Sequence, residues 1–199
     1  MRITVRILTV VLLFTCLAAA QAPAAQKAPP PKPTLERILN NALRGVEGEF
    51  VDAADAMPED KYNFAPTQGE FKGVRTFAQQ VRHVAATNYM IGAAILGDAK
   101  PPVDIGEGES GPESIASKAD IMKFLKGSFD YMHKAMSLVT SEEAFTTSIK
   151  SPFGPGQTTR GGMAVLTVGH CFDHYGQMVE YLRMNGIIPP ASRPRPAQK

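Results

Sequence analysis

His170 and His174 stand four residues apart in the stretch Thr159–Gly186. In a helix that spacing puts two imidazoles one turn apart on the same side, with room for one cation between them. The same reading aligns Met163, Leu166, Gln177 and Tyr181 with the histidines on one stripe, since steps of three and four residues follow a helix face. The stripe is otherwise apolar and is expected to face a core. Imidazoles on such a stripe need partners, because buried polar groups left unpaired are costly. A metal site meets that need, but one helix supplies only two ligands.

Four side chains are candidates for the third ligand: His83, His133, Cys171 and Asp173. Cys171 follows His170 directly, so it sits about 100° round the helix and points towards a neighbouring helix rather than the ion. Asp173 lies on the polar edge of the stripe, which suits a role behind the ligands or in solvent. His133 has Asp130, Lys134 and Lys126 nearby and is expected on the solvent side of its helix. His83 falls in the middle of the most apolar segment of the chain and is the best third ligand. Gln177, one turn beyond His174, is placed to orient a ligand or a histidine, or to bond the backbone as a core amide.

Glutamate-based metal sites do not match these residues. The pattern His-Glu-x-x-His needs a glutamate where Cys171 stands, and the inverted form His-x-x-Glu-His needs one where Asp173 stands. A di-iron bundle needs Glu-x-x-His on two helices and two further glutamates, of which Asp130-x-x-His133 is a lone echo. A mononuclear site with an open position is the reading that remains.

Four amphipathic helices must position these groups. The first is expected from Thr34 to about Ala56, with Leu35, Ile38, Leu39, Leu43, Val46, Phe50 and Ala54 on its stripe and Pro58 as its stop. Loop aromatics Tyr62, Phe64 and Phe71 are expected to cover one end of the core. Thr76 with Gln79 reads as a capping box for the second helix, which carries His83 and ends at Gly97. The segment from Asp98 to Ala116 is rich in Gly, Pro and acids and reads as an exposed connection. Ser117 with Asp120 opens the third helix, whose stripe is Ile121, Phe124, Leu125, Phe129, Met132, Met136 and Leu138. Ser141 to Gln157 is a long connection, with Phe145–Ile149 as a possible short extended piece. The fold class is therefore all-α, a four-helix bundle with long connecting loops, some of them walls of a pocket.

Arg2 and Arg6 precede the apolar run Ile7–Leu17 and the small residues Ala18-Ala19-Ala20, the pattern of a secretory signal over residues 1–20. The run is short for a membrane span, which needs roughly 20 apolar residues, although a retained anchor is the alternative. A Pro/Ala-rich linker follows over 21–33, then the bundle over 34–190, then a basic, Pro-rich tail over 191–199 expected to be disordered. Without Arg2 and Arg6, basic and acidic residues balance at 19 each. The bundle itself holds 14 basic and 19 acidic residues, so nothing suggests nucleic acid, which calls for a basic stripe on the folded part. Only Cys171 remains beyond the signal, so no internal disulfide is expected and the core must hold the fold. The expected location is the periplasm or the exterior, and a homodimer is left open.

His83, then His170-Cys171-Phe172-Asp173-His174, resembles the DinB-like (DinB/YfiT-like) superfamily in order and placement. Tyr175 through Arg183 with Asn185-Gly186, His83-Val84-Ala85 followed by Asn88-Tyr89, and Met57-Pro58 ahead of Tyr62 are similar to that family too. The resemblance covers about Thr34 to Pro190. It implies a four-helix bundle with one histidine on the second helix and two on the fourth. It also implies a divalent metal, zinc or nickel, on His83, His170 and His174. Relatives include thiol-dependent transferases and an isomerase that uses mycothiol, so a thiol or another small-molecule substrate is implied. Two readings follow: a metal-dependent transferase or hydrolase, and a non-catalytic bundle whose metal is structural or sequestered.

Overall fold

The structure, a computed structural model, describes residues 32–108 and 110–194. The expected signal segment, the linker as far as residue 31 and the tail from residue 195 lie outside the described residues. Four long helices carry the fold: α1 (Leu35–Ala56), α2 (Phe77–Leu96), α3 (Lys118–Met136) and α5 (Arg160–Met184). Between α3 and α5 lie a single helical turn, α4 (Glu142–Thr146), and two short strands, β1 (Ser148–Lys150) and β2 (Gln157–Thr159).

Each long helix starts on a hydroxyl that satisfies an orphan backbone N–H. Thr34 accepts from Arg37, Thr76 from Gln79, Ser117 from Asp120 and Thr159 from Gly162. The Thr76 cap is a full capping box, with the Gln79 side chain accepting from the Thr76 N–H at 2.8 Å. α2 ends on Gly97 at φ +81°, a left-handed position natural to glycine. α1 ends because Met57 precedes Pro58 and is extended.

The helices pack in a ring, α1 against α3 and α5, α2 against α3 and α5. Leu43, Val46 and Phe50 from α1, Val81, Val84 and Ile91 from α2, Leu125, Phe129 and Met132 from α3, and Met178 and Leu182 from α5 are fully buried. Tyr62 closes one end of this core, donating to Ala54 O at 2.7 Å, and Phe64 packs edge-on against Tyr181. Ile38 and Leu138, expected on core stripes, are instead 49% and 40% exposed. Leu138 lies beyond the end of α3 at Met136, so it is not held on that helix's stripe.

The α3–α5 connection differs from the sequence expectation. Phe145 and Thr146 belong to α4, because Ser141 caps that turn and Glu142 and Glu143 occupy its first positions. The Phe145 ring lies where a side chain on Gly161 would be, so only glycine admits that contact. The extended piece begins later, as an antiparallel pair with Ser148 opposite Thr159 and Lys150 opposite Gln157. The α2–α3 connection is tied down rather than free: buried Arg82 donates to the carbonyls of Ile115 at 2.9 Å and Pro112 at 3.3 Å. At the C-terminal end the described chain continues into a 3-10 turn, Pro190–Ser192. No helix among the described residues is long and apolar enough to cross a membrane.

α5 is rotated from its expected setting. Met163, His174 and Tyr181 are buried as expected, but the buried face also takes in Ala164, Thr167, Cys171, Met178 and Leu182, while Leu166 is 43% exposed. Thr167 can be buried because its hydroxyl bonds to Met163 O one turn back, at 2.9 Å. Cys171 lies near the centre line with His174 beside it, so His170 falls on the margin of the buried face instead of its middle. That margin is where a cleft opens.

Candidate metal centre

His83 on α2 meets His170 and His174 on α5, and one ring nitrogen from each lies within 4.8 Å of the others. The closest pair is His83 Nε2 and His170 Nε2 at 3.0 Å. Ring centroids are 4.5 to 5.0 Å apart, with the planes steeply inclined to one another. His174 is buried, whereas His83 and His170 are part-exposed towards the cleft.

A buried amide fixes how His174 presents itself. Gln80, only 2% exposed, donates through Nε2 to Gln177 Oε1 at 2.9 Å, and so turns its own oxygen to His174 Nδ1 at 2.5 Å. His174 therefore carries its proton on Nδ1 and directs the Nε2 lone pair at the other two rings. Gln177 passes the chain on to Asp173, with a long contact of 3.4 Å. Gln177 thus acts on the histidine through Gln80. Asp173 is exposed in the cleft.

Burial, then His83 and Arg75, lower the His170 pKa to about 4, against a smaller upward pull from Asp173. Burial, then His170, His83 and Arg75, lower that of His174 to about 3. Both rings are neutral near pH 7 and hold lone pairs, the form in which imidazole binds a metal. His170 Nδ1 is buried and has no hydrogen-bond partner. Three converging imidazoles, two of them neutral and one held in its tautomer by an amide, fit a divalent cation.

The remaining candidates lie elsewhere. Cys171 is buried, with its thiol 3.7 Å from Asn88 Oδ1, and Asn88 in turn donates to Ser128 Oγ at 3.2 Å. Burial pushes that thiol up to about 12, so it is inert and faces α2, as its position on the helix predicts. His133 is not on the solvent side. It lies part-buried between α3 and α1, with Nδ1 2.6 Å from Asn40 Oδ1 and Nε2 2.9 Å from Glu47 Oε2. Its partners come from α1, which the neighbouring Asp130 and lysines do not reveal.

The triad forms one wall of a cleft of about 620 Å³, lined also by Arg75, Ala86, Met90, Ile105, Phe153 and Asp173. Clefts of about 880 and 820 Å³ elsewhere contain no histidine or cysteine, so volume does not mark the chemistry here. Gln80 had a sequence signal that was missed: it precedes His83 by three residues and shares its face. Arg75 and Phe153 had none, because each arrives from a loop.

A model of the DinB superfamily matches residues 42–178, a span that contains all three histidines. A crystallised DinB-like protein from Bacillus cereus ATCC 10987 shares the fold, with a TM-score of 0.60 at 16% identity over 79% of this chain and 96% of that one. No curated protein matches the sequence.

Proposed function

The chain belongs to the DinB superfamily, and from that premise we propose that it binds one divalent metal ion, zinc or nickel, through His83, His170 and His174. The observation that carries the reading is the convergence of three ring nitrogens within 4.8 Å at the wall of a cleft. The two elements that supply them are also held together by the apolar core, so an ion is not needed to join α2 to α5. That favours a working site over a purely structural one. Three protein ligands leave room for an exchangeable one, the arrangement of catalytic sites.

A bound divalent cation supplies Lewis acidity and lowers the pKa of the ligand that completes its shell. The chain contributes the rest. Gln80 holds His174 in one tautomer, Gln177 holds Gln80, and Asp173 stands at the cleft as a carboxylate able to accept a proton or a hydrogen bond. We read the protein as a metal-dependent transferase, of the thiol-dependent type, or a hydrolase, acting on a small molecule. Export to the periplasm or beyond, read from residues 1–20, is part of this proposal. The alternative is a non-catalytic bundle that sequesters the metal.

Metal content of the purified protein, with His83→Ala and His170→Ala beside the wild type, tests the reading. Stoichiometric metal in the wild type and loss of it in both variants, with the fold intact by circular dichroism, supports the site. Turnover by the loaded wild type on a panel of thiol-conjugation and ester substrates supports the enzyme, and its absence the sequestering alternative. Unchanged metal content in both variants overturns the ligand assignment.

A further inference from the structure

The cleft beside the triad is polar towards one end and apolar towards the other. α2 carries His83, Ala86, Thr87 and Met90 on one face, so this wall extends about 10 Å from the triad along the helix. At that end stands Phe153, whose neighbours Pro152 and Gly154 share a second cleft with Met90, Ala93 and Ala94. Arg75 and Gln177 lie in the other direction, level with Gln80 and the start of α2. From the α2–α3 connection Ile105 adds an apolar contact and Glu107 a carboxyl group.

Phe153 is the unusual member. It is 53% exposed, while Phe50, Phe77 and Phe129 are fully buried, so it contributes little to the core. Yet its place is well held. Its N–H donates to Ser151 Oγ at 3.2 Å, Ser151 N–H donates to Gly156 O at 3.1 Å, and Pro152 and Pro155 stiffen the turn between β1 and β2. An exposed aromatic ring on a stiff turn, facing a cleft that ends in Met90, is a contact surface for a ligand.

Resting on the metal reading above, we propose that the ligand of this site carries an apolar group about the size of a phenyl ring beside its metal-binding atoms, and that Phe153 and Met90 select for that group. The triad end takes the reacting atoms; the hairpin end takes the ring. This distinguishes the site from one built for small, wholly polar ligands.

The test uses two hydroxamates as probes, acetohydroxamate and benzohydroxamate, on the Co(II)-loaded full chain. Cobalt content is measured first, and each probe's affinity is read from the visible spectrum of the cobalt and normalised to its affinity for free Co(II). Benzohydroxamate is expected to bind roughly tenfold tighter, in the range a hydrophobic pocket supplies. Phe153→Ala and Met90→Ala should lose most of that preference while keeping cobalt content and acetohydroxamate affinity. Phe153 is exposed, so its substitution leaves the core intact. Equal normalised affinities in the wild type, or an undiminished preference in both variants, overturn the inference alone. Failure of the wild type to bind cobalt overturns the metal reading and this inference with it.

Discussion

Gln80→Leu removes the amide behind His174 and leaves the three histidines in place. The substitution keeps nearly the same volume, so little cavity energy is added. Gln80 loses two hydrogen bonds, of 2.5 Å to His174 and 2.9 Å to Gln177. Gln177 is part-exposed and can turn to water, so its loss is small. His174 is 6% exposed, and its Nδ1–H is left without an acceptor, at a cost of about 1–3 kcal/mol. Taking about 2 kcal/mol, the melting temperature of a domain this size falls by roughly 4–8 °C. The free tautomer also weakens the site, and loss of such an orienting partner lowers metal affinity by about 10- to 100-fold. Gln80→Glu restores an acceptor for Nδ1 and should recover most of the affinity. The assay is calorimetric titration of Zn(II) into metal-free wild type and both variants, with melting curves alongside. Wild-type affinity in Gln80→Leu, or equal weakening in both variants, would refute the claim that this hydrogen bond sets His174.

Three further outcomes follow from the same contacts. In the metal-free protein, His170 and His174 stay unprotonated until about pH 4 and about pH 3, whereas unfolded histidines take up protons near 6.5. The unfolded state therefore binds more protons, so the urea midpoint should fall as pH drops from about 6.5 to 5, above the carboxylate range. A His170→Gln/His174→Gln variant should be flatter over that window, and equal slopes would contradict the cause. Cys171, buried and with its thiol pushed up to about 12, should not react with a thiol reagent in the native state and should react fully in denaturant; rapid native labelling would place it wrongly. His133→Ala removes the link from α3 to Asn40 and Glu47 on α1. It should lower stability by about 1–3 kcal/mol with metal content unchanged, and a loss of metal would show that His133 serves the triad.

Most of the helical frame is legible in the sequence because it is written locally. Thr34, Thr76 with Gln79, and Ser117 with Asp120 announce helix starts within three residues of chain, and Gly97 and Pro58 announce ends. The three histidines are legible for a similar reason: His170 and His174 share a turn, and His83 lies in the most apolar helix of the chain. What is lost is information held by neighbours across space. Thr167 reads as polar, yet its hydrogen bond to Met163 lets it occupy the core face beside Cys171, and the buried face of α5 shifts towards them. His133 reads as exposed beside charged neighbours because Asn40 and Glu47, more than 80 residues earlier, supply its burial. Phe145 is apolar in a β-favouring run, but the Ser141 cap and the bare backbone of Gly161 fold it into a helical turn. The cleft wall at Arg75 and Phe153 comes from loop positions that no periodicity announces.

The central claim is that His83, His170 and His174 together hold one metal ion while Cys171 does not. X-ray absorption at the metal edge of the zinc-loaded protein tests it directly. The expected result is the multiple-scattering signature of three imidazoles, with nitrogen at about 2.0–2.1 Å and an additional light-atom ligand that exchanges. A sulfur scatterer at about 2.3 Å, or fewer than three imidazoles, would contradict it.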